Sequence, residues 1–483
     1  MDFKHKDTKD SKLFRLRELG ALSVAGVSIF LLSSCAIFAP EERTNLHDDV
    51  PEQFTLYSEM LDNTNRWWES FQSAELNTLI NEVLTNSPSI QQAWARLAQA
   101  EAIAKQAGAS RYPSLGYEGS ASANKKEIAS GFGPGSDSYN SYHLGLTASY
   151  EADLWGRIKS QSEAAALNRE ASREQFNTVA ITLASQTALR WTGIVSQRLQ
   201  TEVIRKQLEA NETSLELIEL RFRKSLSSAL DVYQQRQSVA ATKSILPQAE
   251  LREQLLHNEL AALLGRADFQ TLEIPDEQLP NIGKLPALGI PADVLANRPD
   301  VRAAGLSLQS ADWSVSAARA DRLPAIRLTS SARYGNSDID VSDIFDNWIA
   351  NLAASVTGPI FEGGRRKAEV ARTRAVVDER LAVYRETVIN AIKEVEDALV
   401  SEQKQREYIH ALDTRLAAAR QSYEESLNRY RNGVIEYTTV LFQLNSLQML
   451  ERERVEAQYT LLQHRIALHR ALGGSWPNEL LSN

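Results

Sequence analysis

The chain has 483 residues and carries 53 Lys and Arg against 62 Asp and Glu, which gives a net charge of −9 at pH 7. Such an acidic protein lacks the basic excess that binding to a nucleic-acid backbone requires, so we expect no nucleic-acid partner. One cysteine excludes a disulfide framework and any metal cluster held by several cysteines. No apolar run reaches the roughly 18 residues of a membrane-spanning helix, so any crossing of a bilayer would use strands.

The amino terminus has the pattern of an export signal. Six Lys and Arg residues precede an apolar stretch of 15 residues, Gly20–Ser34, which is too short to span a bilayer. Small residues then lead into Cys35 in a pattern that is similar to a bacterial lipobox, which implies cleavage before Cys35 and lipidation of its thiol. Ala36, and not Asp, follows Cys35, which by the same resemblance permits sorting to the outer membrane. The alternative is an ordinary signal peptide followed by a chance cysteine. Removal of residues 1–34, which hold six positive and four negative charges, would leave a mature chain of net charge −11.

The rest of the chain is an internal duplication. Asn86-Ser-Pro88 recurs as Asn297-Arg-Pro299 at an offset of 211, and Arg221-Phe-Arg223 recurs as Arg429-Tyr-Arg431 at an offset of 208. We therefore divide the sequence into a signal peptide, an N-terminal tether, a first repeat, a linker, a second repeat and a C-terminal tail. Their bounds are residues 1–34, 35–73, 74–268, 269–289, 290–476 and 477–483.

Each repeat is predicted to contain a medium helix, two strands, a very long helix, a turn and a returning helix. In the second repeat, Arg365–Asn432 has 68 residues without Gly or Pro, and its apolar residues recur every seven positions except at Glu402. This heptad pattern predicts helices packed as coiled coils. Two shorter helices, Val434–Leu472 and Ala292–Asp321, together match the length of the long one, so we expect them to stack end to end.

The first repeat follows the same plan with two interruptions. The long helix is predicted over Arg157–Lys224 and the returning helix over Leu226–Leu264, but Gly193 lies inside the former and Pro247 inside the latter. Glycine and proline both disfavour a helix interior, so we expect kinks or breaks at these two positions. A coiled-coil rod that serves as a scaffold is an alternative, but it does not account for the strands.

Four segments show the alternation of apolar and polar residues that is typical of strands. They lie at about residues 112–124, 142–154, 324–335 and 348–361. Strands of this length cross a hydrocarbon core when tilted, although a half-buried soluble sheet would look similar. Four strands are too few to close a barrel, and open edges are not tolerated in lipid, so several chains would have to share one barrel. The intervening segments, 125–138 and 335–343, are expected to be extracellular loops.

Several spaced motifs resemble the TolC-like outer-membrane efflux protein family, in its lipoprotein branch. They are Asp153-Leu-Trp-Gly-Arg157, Asn297-Arg-Pro-Asp-Val-Arg-Ala-Ala304, Pro359-Ile-Phe-Glu-Gly-Gly-Arg365, Arg429-Tyr-Arg-Asn-Gly433 and Ala471-Leu-Gly-Gly-Ser-Trp476. The resemblance implies a mainly α fold with a membrane β-barrel. Three chains would each give four strands to one 12-stranded barrel, and their long helices would form a periplasmic α-barrel.

The resemblance also assigns the turns at residues 221–230 and 429–438 to periplasmic tips, where the tunnel narrows and an adaptor protein docks. The candidate gate residues are Arg223, Asp231, Tyr430, Arg431, Glu436 and Tyr437. The candidate docking residues are Arg221, Phe222, Ser225, Arg429 and Gly433. Both signs of charge and two hydroxyls occur there, so ion pairs and hydrogen bonds of about 1 kcal/mol each are expected to hold a closed state. Solvated surface charges on a helical hairpin are the alternative.

Two departures from the family pattern affect the tips. Ser225 occupies the position that Gly433 has in the second turn, although glycine adopts a positive φ most easily. Phe442, beside Leu441, stands after the second tip, where the family often has an Asp. Any acidic constriction would therefore use Asp231 or another position.

The sequence contains no pattern of an enzyme. The seven histidines show no His-Glu-x-x-His spacing, and neither a Gly-x-Ser-x-Gly elbow nor a Walker loop occurs. We therefore expect no catalysis, no cofactor and no metal site.

The predicted function is that of a passive exit duct in the outer membrane. The resemblance implies a homotrimer that contacts outer-membrane lipid and receives drugs or other small molecules from a periplasmic adaptor and an inner-membrane pump of the resistance-nodulation-division class. A duct dedicated to copper or silver, a lipid-anchored periplasmic scaffold and the adaptor itself are the alternatives. The acidic mature chain predicts a pore that favours cations.

Overall fold

A computed structural model describes most of the two repeats and part of the linker between them. The described residues are 37–40, 51, 54, 66–130, 133–268, 274, 278–283, 285–286, 291–336, 348–474 and 476–481. The predicted signal peptide and lipidation site lie outside them. No helix in the described ranges is long and apolar enough to cross a membrane.

The two halves of the chain contain the same series of elements. The first half has α1 (Ala74–Asn86), α2 (Pro88–Ala109), β1 (Ser114–Ser130), β2 (Gly133–Ala152), α3 (Arg157–Arg223) and α4 (Ala229–Leu263). The second half has α5 (Pro291–Asn297), α6 (Pro299–Ala320), β3 (Ala325–Asn336), β4 (Trp348–Thr357), α7 (Arg365–Arg431) and α8 (Tyr437–Leu472). Single 3₁₀ turns lie at Trp67–Phe71 and Trp476–Leu481. The prediction of a mainly helical fold with two strands per repeat is confirmed.

The described chain forms two compact units. The sheet unit contains Ala100–Arg169 and Leu306–Leu381. The helical unit contains the described residues of Asn45–Gln99, Glu170–Gly305 and Ala382–Asn483. Each long helix contributes one part to each unit.

Proline ends a helix in each repeat. The predicted helix Ala292–Asp321 is wrong as a single element, because α5 ends at Asn297 and α6 begins at Pro299. Proline disfavours helical backbone at the residue before it, and its missing N–H is tolerated at the first position of a helix. The same reason separates α1 from α2 at Ser87.

The breaks predicted at Gly193 and Pro247 are wrong. Helix α3 contains 67 residues and α4 contains 35, and neither is interrupted at these positions. A Cβ atom on Gly193 would lie 3.0 Å from the Tyr459 hydroxyl and 3.3 Å from Leu256, so this glycine allows close approach of two neighbouring helices. Pro247 costs a helix about 3 kcal/mol, but packing in the bundle maintains α4 on both sides of it.

The four strands form one antiparallel sheet in the order β1-β2-β3-β4. Its first hairpin is longer than predicted, because the pairing continues to Ser130 opposite Gly133. Most of segment 125–138 is therefore strand and not the expected loop. Residues 337–347, which hold most of the second expected loop, lie outside the described ranges.

The register places alternate residues of all four strands on one face of the sheet. Tyr117 lies opposite Leu146, Leu146 opposite Ala332, and Ala332 opposite Ala350. Large apolar side chains of this face are exposed in the single chain, with Leu352 at 81%. The opposite face bears mainly polar and charged residues, although Ile349 also lies on it. The sheet thus has the alternation that the sequence indicated, and its apolar face has no covering element within the described chain.

Glu402, the break in the heptad pattern of α7, lies inside the helical unit. It is fully buried, and its carboxylate accepts hydrogen bonds from Arg465 at 2.6 and 2.8 Å and from Arg406 at 2.9 Å. Arg406 and Arg465 also donate to the carbonyl oxygen of Gly283 in the linker, at 3.0 and 3.3 Å. A buried carboxylate is stable only when it is paired and hydrogen-bonded. The charged residue in the seam therefore attaches the linker to α7 and α8.

Candidate functional site

The candidate site consists of the two turns that join the long and returning helices, which we call the first tip (residues 221–230) and the second tip (residues 429–438). Both turns have the same backbone hydrogen bonds. Leu226 N–H donates to the Arg221 carbonyl at 2.9 Å, and Val434 N–H donates to the Arg429 carbonyl at 2.9 Å. These bonds close a Schellman motif at the end of each long helix.

The motif requires a left-handed residue, and the two tips supply different ones. Ser225 has φ of +59°, and Gly433 has φ of +73°. Serine pays a steric cost in this region that glycine does not. Both copies of the duplication therefore have the same turn backbone, but only the second tip has the glycine that favours a positive φ.

Asp231 caps the returning helix of the first tip. Its carboxylate accepts from the Ser228 N–H at 3.0 Å and from the Ser227 hydroxyl at 2.8 Å, while its own N–H donates to the Ser228 hydroxyl at 3.1 Å. This capping box satisfies N–H groups that the first turn of α4 leaves unpaired. Among the described residues, the Asp231 carboxylate has no ion-pair partner.

The two tyrosines of the second tip are buried. Tyr430 is 9% exposed and Tyr437 is 4% exposed, with ring centroids 5.2 Å apart. They form an apolar cluster with Ile218 of α3, Val232 of α4 and Val440 of α8. Burial raises the pKa of the Tyr437 hydroxyl, so it stays protonated and available as a donor. The second tip is thus packed against the hairpin of the first.

The candidate docking residues occupy different environments. Arg221 is half-buried, and its guanidinium lies 5.0 Å from the centre of the Tyr430 ring, in a cation–π contact. Arg429 pairs with Glu425 at 2.7 Å on the exposed surface of α7. Phe222 is 46% exposed. Arg221 therefore belongs to the aromatic cluster, whereas Phe222 and Arg429 face outward.

The remaining gate candidates form no ion pairs in the described part of this chain. Arg223, Arg431 and Glu436 are exposed, and Glu436 is the N-cap residue of α8 but makes no capping hydrogen bond with its side chain. The structure therefore does not bring together the charges of the tips into salt bridges within one chain. What it brings together is the tyrosine pair, Arg221 and the apolar cluster.

A buried polar network that the sequence did not predict continues from Tyr437. The Tyr437 hydroxyl donates to Gln235 Oε1 at 2.7 Å, and Gln235 Nε2 donates to the Asn211 carbonyl oxygen at 2.7 Å. Asn211 Nδ2 donates to the Thr242 hydroxyl at 2.9 Å, and Gln448 Nε2 donates to Asn211 Oδ1 at 3.0 Å. We call these five residues the polar ladder.

The polar ladder joins α3 and α4 of the first repeat to α8 of the second. Asn211 and Gln235 are completely buried, and buried amides are costly unless they are paired. The sequence shows that polar residues occupy positions in the helical seam. It does not show which of them bond to each other, because the partners lie up to about 240 residues apart along the chain.

The described residues hold no group of three or more His, Cys, Asp or Glu side chains placed to bind a metal ion. Cys35 lies outside the described ranges.

The sequence matches the model of one protein family, described as outer membrane efflux protein, over residues 79–266 and 290–474. It is 32% identical over 426 residues to the pyoverdine export outer membrane protein OpmQ of Pseudomonas aeruginosa, a match that covers 86% of this chain and 88% of OpmQ. It is 28% identical over 453 residues to the cation efflux system protein CusC of Escherichia coli K12, covering 92% and 97% of the two chains.

Solved structures have the same fold. The outer-membrane channel OprN superimposes with a TM-score of 0.84 at 25% identity, over 92% of this chain and all of that one. A crystal structure of CusC superimposes with a TM-score of 0.83 at 28% identity, over 91% of this chain and all of that one.

Proposed function

The chain belongs to the outer membrane efflux protein family, and we propose that three copies of it form the exit duct of a tripartite pump. It is an outer-membrane efflux protein and not an enzyme. In the proposal, an inner-membrane pump of the resistance-nodulation-division class and a periplasmic adaptor deliver the cargo. The duct itself consumes no energy.

The exposed apolar face of the sheet is the observation that carries the proposal. A four-stranded sheet with unpaired edges at β1 and β4 leaves backbone N–H and C=O groups unsatisfied, which is not tolerated in lipid. Pairing of β4 of one copy with β1 of the next removes both edges. Three copies then give the 12 strands of one barrel, with the apolar face towards lipid and the polar face towards the lumen.

An anchor at Cys35 forms part of the proposal. The cationic leader, the short apolar stretch and the small residues before Cys35 support cleavage and lipidation there. A palmitate and a diacylglycerol group on the first residue of the mature chain would anchor the protein in the outer membrane in addition to the strands. Replacement of Cys35 by Ser tests this step, and the expected result is loss of radiolabelled palmitate from the protein.

The proposed cargo is drugs or other small molecules. One similar protein exports pyoverdine by its name, and another belongs to a cation efflux system, so a duct dedicated to copper or silver is the second candidate. A periplasmic scaffold is not consistent with the family. The adaptor is not either, because two helical hairpins follow each other in one chain.

A deletion strain tests the cargo. Growth is compared against amphipathic drugs, dyes, bile salts, copper and silver. Hypersensitivity to the organic compounds that the wild-type gene restores is the expected result. Sensitivity confined to copper and silver would favour the second candidate, and purified protein that fails to form heat-modifiable trimers would contradict the duct itself.

In the proposed closed state, the second tip holds the helices together. The tyrosine cluster and the polar ladder support this role within one chain, while Arg223, Arg431 and Glu436 are available to neighbouring copies or to the adaptor. We expect Arg431→Ala and Asp231→Ala to increase leakage of large antibiotics.

Asp231→Asn separates two explanations of such leakage. An amide oxygen still accepts from the Ser227 hydroxyl and the Ser228 N–H, so leakage near that of the wild type indicates that Asp231 acts through the capping box. Leakage equal to that of Asp231→Ala indicates that its charge is required. If no variant leaks, the gate does not involve these residues.

A further inference from the structure

The polar face of the sheet carries its charges in two separate rows. One row, towards the β1–β2 turn, contains Glu118 and Arg333 with Gly145 between them. The other, towards the helices, contains Glu151 opposite Arg327. We call them the turn-side row and the helix-side row. They lie about 20 Å apart, given the rise of about 3.3 Å per residue along a strand.

The turn-side row is electrically neutral. Arg333 Nε lies 2.8 Å from Glu118 Oε1, although β2 separates the two strands. The contact depends on Gly145, because a Cβ atom there would lie 2.8 Å from Arg333 Cγ and 3.0 Å from the Ala332 carbonyl oxygen. The glycine therefore gives the arginine side chain room to cross β2. One positive and one negative charge cancel at this level.

The helix-side row has an excess of positive charge. Glu151 Oε1 accepts from Arg157 Nη2 at 2.6 Å and from Arg157 Nε at 3.2 Å. Its other oxygen lies 3.4 Å from Arg327 Nη2. Two guanidinium groups thus share one carboxylate, which leaves one positive charge per chain in this row. The next two charged residues on this connection, Asp153 and Lys159, have opposite signs and leave the count unchanged, and the Asp153 carboxylate accepts from the Lys159 backbone N–H at 2.7 Å. The Arg327 side chain is 57% exposed, so its guanidinium group is accessible to a solute.

The surface between the two rows is uncharged. The side chains between the rows carry mainly hydroxyl groups and one amide. They belong to Ser114, Thr147, Ser149, Thr329, Ser331 and Asn351. Among the described side chains of this face, the strands place Glu and Arg only in the two rows. Among the described side chains of this face, the helix-side row is therefore the level with a net charge.

We propose that Arg157, Arg327 and Glu151 form an anion-selective collar where the duct enters the outer membrane. The inference rests on the proposed trimeric duct, in which three copies place three net positive charges around one level of the lumen. A wall of low dielectric constant focuses the field of such a ring. The solutes it would favour are small anions and cargo that carries carboxylates.

The collar predicts a preference for anions, whereas the net charge of the chain predicts a preference for cations. A mature charge of −11 predicted a pore that favours cations. Charges more than about 10 Å from the permeation path are screened at 0.1 M salt, so the local charge of a narrow segment outweighs the total. Selectivity therefore follows the two rows of the sheet.

Reversal potentials of the purified full-length trimer in planar bilayers test the inference. Under a gradient of potassium chloride, the chloride-to-potassium permeability ratio of the wild type should exceed one. Arg327→Glu should bring it below one, and Arg327→Lys should keep it near the wild-type value because the charge remains. Potassium acetate in place of the chloride probes the carboxylate class and should give the same order of variants.

The turn-side row supplies the matched controls. Glu118→Gln leaves Arg333 uncompensated and should raise the permeability ratio, whereas Glu118→Gln with Arg333→Gln removes a balanced pair and should not change it. The series is repeated in a Tyr437→Ala background, in which the tips are expected to be open. A wild type that prefers cations, or an Arg327→Glu ratio equal to that of the wild type, would overturn the collar. Absence of any conductance in both backgrounds would instead contradict the duct on which it rests.

Discussion

The two tips share a backbone turn but differ in where their aromatic side chains lie. The offset of 208 pairs Phe222 of the first tip with Tyr430 of the second, and Ala229 with Tyr437. Phe222 is 46% exposed, whereas Tyr430 and Tyr437 are 9% and 4% exposed. The same Schellman motif therefore presents an outward-facing aromatic residue in one repeat and a buried pair in the other.

The difference shows how duplication can divide a role between two copies. The second tip inserts two tyrosines against Ile218 and Val232, which the hairpin of the first tip supplies. Loss of these contacts would separate the two hairpins, while loss of the exposed side chain of the first tip would not. In the proposed duct, opening requires the second tip to leave the first.

The largest expected effect comes from truncation of the buried tyrosine. Tyr437→Ala removes an aromatic side chain from a packed cluster, which costs about 3–5 kcal/mol for large aromatic residues. We expect increased susceptibility of cells to large antibiotics and a lower apparent melting temperature of the purified trimer. Phe222→Ala is the matched control at the exposed position, and it should leave the melting temperature unchanged. Leakage of the two variants is compared in cells that lack the pump and adaptor, so that a loss of adaptor docking at Phe222 does not affect the result. Equal leakage from both variants would remove the distinction between the tips.

A smaller effect is expected when only the hydroxyl is removed. Tyr437→Phe keeps the ring but leaves the buried Gln235 oxygen without its donor, at a cost of about 1–3 kcal/mol. Combining Tyr437→Phe with Gln235→Leu removes the unpaired amide oxygen and should recover part of the lost stability. The double variant also lacks the hydrogen bond from Gln235 to Asn211. A double-mutant cycle on melting temperature measures the coupling. Additive losses would indicate that the hydroxyl and the amide act independently.

The smallest effect concerns the turns themselves. Gly433→Ala places a Cβ atom at a positive φ and should destabilise the second tip by about 1–2 kcal/mol, whereas Ser225→Gly should relieve strain in the first by up to about that amount. Hydrogen exchange of the tip amides measures both changes. A slower exchange in Gly433→Ala would contradict the assignment of strain to φ.

Local patterns were sufficient to predict most of the architecture. The duplication, the long helices and the four strands each follow from a repeat or period that is visible within a short window. The family and the outer-membrane location followed from motifs in their order along the chain. The predictions failed where tertiary packing or strand pairing overrides a local preference. Helix α4 continues through Pro247 and α3 through Gly193, and pairing extends β1 and β2 into an expected loop.

The candidate site was predicted only in part. The sequence identified the two tips and their titratable residues, and it expected ion pairs among them. In the structure, Asp231 is part of a capping box, and the Tyr437 hydroxyl donates a hydrogen bond to Gln235. An N-cap position can be recognised from neighbouring residues, but the partner of Tyr437 lies 202 positions away.

The sequence by itself thus determined which segments are helix, strand and turn, because those preferences depend on residues a few positions apart. Only the tertiary structure decided which side chains are buried and paired. Glu402 became a buried carboxylate between two arginines, and the positive charge of the sheet was concentrated beside Glu151. These outcomes depend on helices and strands from distant parts of the chain packing together, and the free energy of a buried polar group is set by the partners that such packing provides.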